Sequence, residues 1–352
     1  MTMIQNGAEQ RRMLMTRLFP WSVPILWCPP LTHYAANGDM DRDRMAAHLR
    51  SLAPYVKGLL VPGSTGDGWE MDDTEARQVL EFVLDVASEL DVQVLVGALK
   101  TDLEETHRTI VDTLAWLRQR TGLSDDLESM SAARVCGFTV CPPRGQNRSQ
   151  NQLRDALASI LELDVPMALY QLPQVTLNEM APQTVADLVR GFGNFYLFKD
   201  SSGDDRVAMS GLDLGGVYMV RGSEGAYDRW LKINGGPYDG FLLSTANCFA
   251  PYLHRMIEHL CHGRVAEARA VSEPISQVVA QVFELVTDLP DGNAFANANK
   301  AMDHFMAYGP DAAGLPPPRL HAGSTLTSQV IRATGELLAH YGLMPTSGYL
   351  EH

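Results

Sequence analysis

Two short stretches carry residues able to do carbonyl chemistry. Lys199 ends the run Phe195-Tyr196-Leu197-Phe198-Lys199-Asp200-Ser201-Ser202-Gly203, an apolar segment of strand character that stops at a cation and turn residues. If that segment is a barrel strand, its C-terminal end is where catalytic groups project. Desolvation there lowers a lysine pKa towards the free amine that attacks carbonyl carbons. The same lysine could instead cap the strand and pair with Asp200 or Asp204, and the motif alone leaves both readings open. The second stretch is Gly58-Leu59-Leu60-Val61-Pro62-Gly63-Ser64-Thr65-Gly66-Asp67. Glycines at 63 and 66 permit a tight turn and leave main-chain N–H groups and two hydroxyls free to converge on a small anion such as a carboxylate. An ordinary strand-to-helix loop would read the same way.

The elements that must position these residues follow a regular beat. Short apolar β-type runs recur at Pro24–Trp27, Gly58–Val61, Val92–Val96, Val135–Val140, Pro166–Tyr170, Phe195–Lys199, Val217–Val220 and Gly240–Leu243. They are separated by helix-length segments, with clear 3.6-residue periodicity over Ala76–Ala87 and Thr106–Leu117. Met71-Asp72-Asp73-Thr74 supplies acidic and capping residues where the helix after the Gly63 turn begins. Eight such units predict an α/β fold, a (β/α)8 TIM barrel. Beyond Asn247 the pattern is helical, at Pro251–Cys261, Val265–Thr287, Ala294–Tyr308 and Thr325–Tyr341, which predicts a C-terminal helical extension. The expected organisation is an N-terminal arm over 1–22, the barrel over 23–248 and a helical bundle packed on it over 249–352. The polar stretch 118–133 is longer than a typical connection and reads as an insertion on the face opposite the active site, concerned with packing or assembly.

Composition bounds the function. A chain of 352 residues that is 45% hydrophobic can bury a barrel of about 250 residues with an appendage. A formal charge of −14 leaves no basic stripe for nucleic acid. No stretch is apolar enough to span a bilayer, and the first nineteen residues lack the continuous apolar core of a leader, so a soluble, unprocessed protein is expected. Five cysteines without framework spacing point to reduced thiols and a cytoplasmic location; Cys28 and Cys141, at strand ends, are candidates to line a pocket. His254, His259, Cys261 and His262 fit neither a zinc ribbon nor an H-E-x-x-H pair, so no metal and no cofactor is expected. The sixteen methionines are scattered and read as core filler.

Taken with Tyr170-Gln171-Leu172-Pro173, the two motifs resemble the N-acetylneuraminate lyase and dihydrodipicolinate synthase family of class I aldolases. That family carries a G-[ST]-T-G-E turn, a Y-N-x-P segment and a K-[DE]-[ST]-[ST]-G strand end in this order, and here they read G-S-T-G-D, Y-Q-L-P and K-D-S-S-G. The similarity runs from about Pro24 to the C-terminal helices and includes Asp239 to Asn247 as the eighth strand. The resemblance implies a lyase or hydro-lyase acting on pyruvate or a related 2-oxo acid, with Lys199 forming a Schiff base and Tyr170 beside it. It further implies that Ser64, Thr65 and Gly66 hold the carboxylate, and that Ser223 and Ser244, with Arg221 and Glu224, meet the variable part of the substrate. An aldehyde is a possible second substrate, and a homodimer or homotetramer is expected.

One departure bears on the chemistry. Where the family carries a P-Y-Y sequence after the fourth strand, supplying a proton-shuttling tyrosine, this chain reads Cys141-Pro142-Pro143-Arg144. Arginine cannot give up its proton near neutral pH, so Arg144 is no general base; it either binds a second anionic group or points to solvent. Two alternatives therefore stand beside the lyase: a catalytically impaired barrel that binds a 2-oxo acid, and dihydrodipicolinate synthase proper.

Overall fold

The computed structural model describes residues 3–351, so residues 1, 2 and 352 of the expected arm and bundle lie outside it. Among the described residues, eight strands close a parallel barrel in sequence order: β1 Leu26–Cys28, β2 Gly58–Val61, β3 Gln93–Gly97, β4 Val135–Val140, β5 Met167–Gln171, β6 Phe195–Asp200, β7 Tyr218–Arg221 and β8 Gly240–Leu242. Every predicted run contributes one strand, two with unchanged ends and the rest with ends moved by one or two residues. All strand residues but Gln93 and Tyr218 are buried, which is why these segments are nearly continuous apolar runs rather than alternating ones. Trp27 pairs with Gly58 across β1 and β2, and a Cβ on residue 58 would overlap the Trp27 ring, so glycine is required there.

The helices are α1 Met3–Leu18, α2 Arg42–Leu52, α3 Asp73–Leu90, α4 Leu103–Thr121, α5 Asp126–Ala132, α6 Gln150–Leu161, α7 Pro173–Thr176, α8 Pro182–Gly191, α9 Ala246–Cys261, α10 Val265–Val286, α11 Ala294–Tyr308 and α12 Ser328–His340. Internal contacts group the chain into two compact units. The first holds the residues up to Ile25, Gln93–Ser223 and Pro237–Leu242; the second holds Leu26–Val92, Glu224–Gly236 and Leu243 onward.

In the first unit, the stretch expected as an arm is the helix α1. Its anchor is Arg11, fully buried, whose guanidinium donates to the carbonyls of Val189, Phe192, Phe195 and Gly215. Burial lowers its pKa to about 10, with the nearby charge of Asp213 acting the other way. Apolar periodicity cannot reveal a helix held in this way. The expected insertion is mostly helical: α4 runs on to Thr121, Gly122 ends it with φ 73°, and α5 follows from its Asp125 N-cap, burying Ser129 and Met130.

In the second unit, Asp72 caps α3 in a reciprocal box with Glu75. α9 contains Pro251, which has no N–H to offer the carbonyl of Asn247 four residues earlier. His48 Nε2 meets that carbonyl instead at 3.1 Å. α11 is unusual in burying Asn297, Asn299, Lys300, Asp303 and His304 along with its apolar residues. Buried polar groups need partners, and theirs define much of the site described next.

Candidate active site

In the first unit, β6 delivers Lys199 after four fully buried apolar residues, leaving the side chain only 3% exposed. Lys199 lies opposite Tyr170 on β5 and Val220 on β7, and its Nζ sits 4.0 Å from the centroid of the Tyr170 ring. Cys141, just past β4, is buried; desolvation pushes its thiol pKa up, and the charge of Lys199 offsets part of that. The two carboxylates that could have paired with the lysine have other partners. Asp200 Oδ1 accepts from the amide and hydroxyl of Ser202 at 3.0 and 2.6 Å, and Asp204 faces Arg206 at 3.9 Å. Burial raises the Asp200 pKa. Behind β6, Arg221 grips Asp205 through two bonds of 2.9 and 3.0 Å, Tyr238 donates to Asp205 at 2.6 Å, and Arg221 also donates to the carbonyl of Ser223. Gly222 approaches the lysine so closely that a Cβ there would overlap Ser201 Oγ and come within 2.8 Å of Lys199 Cε. Arg144 is exposed and, among the described residues, is tied through its backbone to Thr101 and Arg148.

In the second unit, the turn after β2 is tightly built. The N–H groups of Gly66 and Gly68 both close on the Gly63 carbonyl, at 3.0 and 2.9 Å, and Gly66 packs so near Pro30 that a Cβ would lie 2.5 Å from its carbonyl oxygen. Trp69 Nε1 donates to Ser64 Oγ at 2.8 Å, which leaves the Ser64 hydroxyl proton free to donate. The amides of Ser64 and Thr65 make no backbone bond among the described residues, so the turn has donors to spare. Asp67, with φ 62°, ends the turn buried, its Oδ2 accepting from Lys300 at 2.7 Å and from the Tyr34 hydroxyl at 3.0 Å. Burial and the Asp67 charge hold the Tyr34 hydroxyl far above its ordinary pKa, as a donor. Asn293, the α11 N-cap, donates to the Ser64 carbonyl at 3.1 Å and to Glu70 at 3.0 Å. At the end of β8, Ser244 donates to Glu224 Oε1 at 2.6 Å; the Thr245 amide reaches the same oxygen at 3.1 Å, and Tyr227 donates to Oε2 at 2.9 Å.

Among the described residues, His33, His48 and Asp303 are the group whose ligand atoms could surround a metal. Hydrogen bonds fill it. The Asn247 carbonyl can only accept, so His48 carries its proton on Nε2 and its Nδ1 accepts from His33 Nε2 at 3.0 Å. Both Nε2 protons are spent on those acceptors, so neither Nε2 offers a lone pair, and Asp303, 3.6 Å from each, accepts from Arg44 and Tyr349. Burial, with the charges of Arg44 and Lys300, pushes the His33 pKa well below its ordinary value. Of the histidines weighed in the sequence, His259 Nδ1 accepts from Arg264 and His262 Nδ1 meets the Glu258 carbonyl. All five cysteines are free, and Cys261 is the exposed one. No helix among the described residues is long and apolar enough to cross a membrane.

The profile of the Dihydrodipicolinate synthetase family matches residues 128–290. A 4-hydroxy-tetrahydrodipicolinate synthase of Agrobacterium fabrum is 25% identical over 233 residues, 65% of this chain and 71% of its own length. Another, of Hyphomonas neptunium, is 27% identical over 274 residues, covering 76% and 84%. The chain is similar to the dihydrodipicolinate synthetase family. The fold agrees. YagE of E. coli K12, a prophage protein of the dihydrodipicolinic acid synthase family solved with pyruvate, superposes with a TM-score of 0.70 at 22% identity, over 91% of this chain and 99% of that one. The Sulfolobus 2-keto-3-deoxygluconate aldolase solved with D-KDPG gives 0.69 at 15% identity, over 90% and 96%.

The chain departs from the pattern of the dihydrodipicolinate synthetase family, which it resembles, at three places. Asp67 stands for glutamate and is consumed by Lys300 and Tyr34. Gln171 stands for asparagine; its Oε1 accepts from the Met180 amide at 2.8 Å, and its amide nitrogen is buried without an acceptor. Arg144 stands where tyrosine is usual. Sequence reasoning missed Lys300, Asn293, Tyr34 and the support given by Glu224 to Ser244. A lysine inside the predicted helix Ala294–Tyr308 was the available signal, but nothing local tells a buried lysine from a surface one.

Proposed function

We propose that the protein is a class I lyase or hydro-lyase that acts on pyruvate or a related 2-oxo acid through a Schiff base on Lys199. The observation that carries this reading is a lysine 3% exposed at the C-terminal end of β6, its Nζ against the Tyr170 ring, in a chain whose family relatives are named as synthases and aldolases. In its neutral form the amine adds to the ketone carbon and water leaves, giving an imine whose protonated form accepts the electron pair of the breaking or forming bond. Ser64 and Thr65 hold the carboxylate with hydroxyl and amide donors, and Gly66 lets the turn close. Tyr170 lines the pocket beside Lys199 and passes the proton, a role supported by its ring lying 4.0 Å from Lys199 Nζ. Ser244, donating its hydroxyl proton to a hydrogen bond with Glu224, offers lone pairs to a hydroxyl or amine on the rest of the substrate, and Ser223 is a second candidate for that role. Arg144, exposed, serves a second anionic group. A homodimer or homotetramer in the reducing cytoplasm fits five free thiols and the family.

The absence of a tyrosine after β4 favours a second reading, a barrel that binds the 2-oxo acid and turns it over poorly, and makes dihydrodipicolinate synthesis itself the least favoured. Borohydride reduction with a panel of 2-oxo acids, read by intact mass, separates these. The lyase reading expects one reduced pyruvyl unit per chain on Lys199, abolished in Lys199→Arg. Binding of pyruvate with no mass increment would sink the Schiff base and leave the binding protein.

A further inference from the structure

We infer that Lys300, on a helix outside the barrel, is a positioning residue that sets how tightly the Gly63–Asp67 turn holds a substrate carboxylate. The inference rests on the proposed role of that turn. Of the five lysines, two are buried. Lys300 is the more deeply buried, at 1% exposure, with its Nζ 2.7 Å from Asp67 Oδ2 and 4.7 Å from the Tyr34 ring centroid. An ammonium and a carboxylate in such a place are tolerable only together and with further hydrogen bonds, which Tyr34 supplies.

The backbone at Asp67 gives the pair a purpose beyond stability. A φ of 62° is left-handed, uncommon for a residue with a side chain though best tolerated by Asp and Asn, and at Asp67 the carboxylate is held there by its buried surroundings. Lys300 and Tyr34 are those surroundings. Seven residues before Lys300, Asn293 at the N-cap of the same helix holds the Ser64 carbonyl. α11 therefore grips the turn at both ends, at the carbonyl of its first hydroxyl residue and at the carboxylate that closes it. The spare donors of Ser64 and Thr65 lie between these grips, and because Gly66 and Gly68 spend their amides on Gly63, the grips fix where the spare donors point. Both ends of this arrangement, the turn and α11, lie outside residues 128–290, the part that the family profile matches.

Releasing Lys300 lets Asp67 relax and turns the donors away while leaving Lys199 untouched. The effect belongs to binding, not to imine formation. The test is borohydride trapping of pyruvate by the full-length protein, read by intact mass across pyruvate concentrations, in wild type, Lys300→Met and the double variant Lys300→Met/Asp67→Asn. The expected result is a half-saturating pyruvate concentration at least tenfold higher in both variants, with one unit per chain still trapped at saturation and at a rate within threefold of wild type. Hydrogen exchange in residues 58–71 should quicken. Half-saturation unchanged within threefold, or a slower rate at saturation with half-saturation unmoved, overturns the inference, as does mapping of the trapped unit to Lys300. If Lys300→Met does not fold by circular dichroism, the double variant, which leaves no uncompensated charge, decides. If wild type is not trapped at any pyruvate concentration, the Schiff-base reading falls instead, and exchange in residues 58–71 alone judges Lys300, with unchanged exchange counting against it.

Discussion

Replacing Gly222 by alanine tests whether the space around Lys199 is set by its neighbours. The new Cβ would overlap Ser201 Oγ and stand 2.8 Å from Lys199 Cε, so both side chains must shift. Overpacking of this kind costs about 1–3 kcal/mol. At about 2.1 cal/mol/K of unfolding entropy per residue, that corresponds to a fall in Tm of roughly 1–4 °C for a chain of 352 residues. The kinetic effect should be larger, because displacing a reacting group by about 1 Å costs on the order of 10²-fold. Single-turnover trapping of pyruvate by borohydride reads the second quantity, and differential scanning calorimetry the first. The two are separable through Ser201→Gly, which removes the overlap at Ser201 but not the one at Lys199. In Ser201→Gly/Gly222→Ala the Tm should recover, less up to about 1 kcal/mol for the added glycine, while trapping stays slow. Recovery of trapping together with Tm would refute the claim that Gly222 sets the position of the lysine.

Three further outcomes are expected. Thr65→Val keeps the shape of the turn and deletes a donor, so 2-oxo acid affinity measured by calorimetry should weaken by about 1–3 kcal/mol; unchanged affinity would place the carboxylate elsewhere. Arg144→Ala should raise KM for a dicarboxylic or phosphorylated substrate and leave pyruvate nearly unaffected, and equal effects on both would remove its anion role. Arg11→Met should leave the carbonyls of Val189, Phe192, Phe195 and Gly215 without their buried donor, at about 1–3 kcal/mol for each that stays unsatisfied. A denaturant midpoint equal to wild type would show that α1 is dispensable.

The barrel was legible because its strands are buried on both faces and so announce themselves as short apolar runs, Val135–Val140 and Phe195–Phe198 among them, at regular spacing. The catalytic candidates were legible for a related reason. A charge at the end of such a run, as at Lys199, and glycines around two hydroxyls, as at Ser64 and Thr65, break a local pattern, and a broken local pattern is visible in one dimension. α1 was illegible because its anchor is one arginine bonded to carbonyls 178 to 204 residues away. No periodicity records that.

The same physics explains why the turn was visible and its support was not. Lys300 and Asp67 are 233 residues apart, and each, taken alone, is an ordinary polar residue of a helix or a turn. Their significance arises only from burial, since in water the pair would contribute little, whereas at 1% exposure neither charge is tolerable without the other. Burial does not distinguish the two inaccessible lysines from each other, at 1% and 3% exposure; their neighbours do. Lys300 Nζ lies 2.7 Å from the Asp67 carboxylate, while Asp200, next to Lys199 in sequence, accepts from Ser202 and Tyr238.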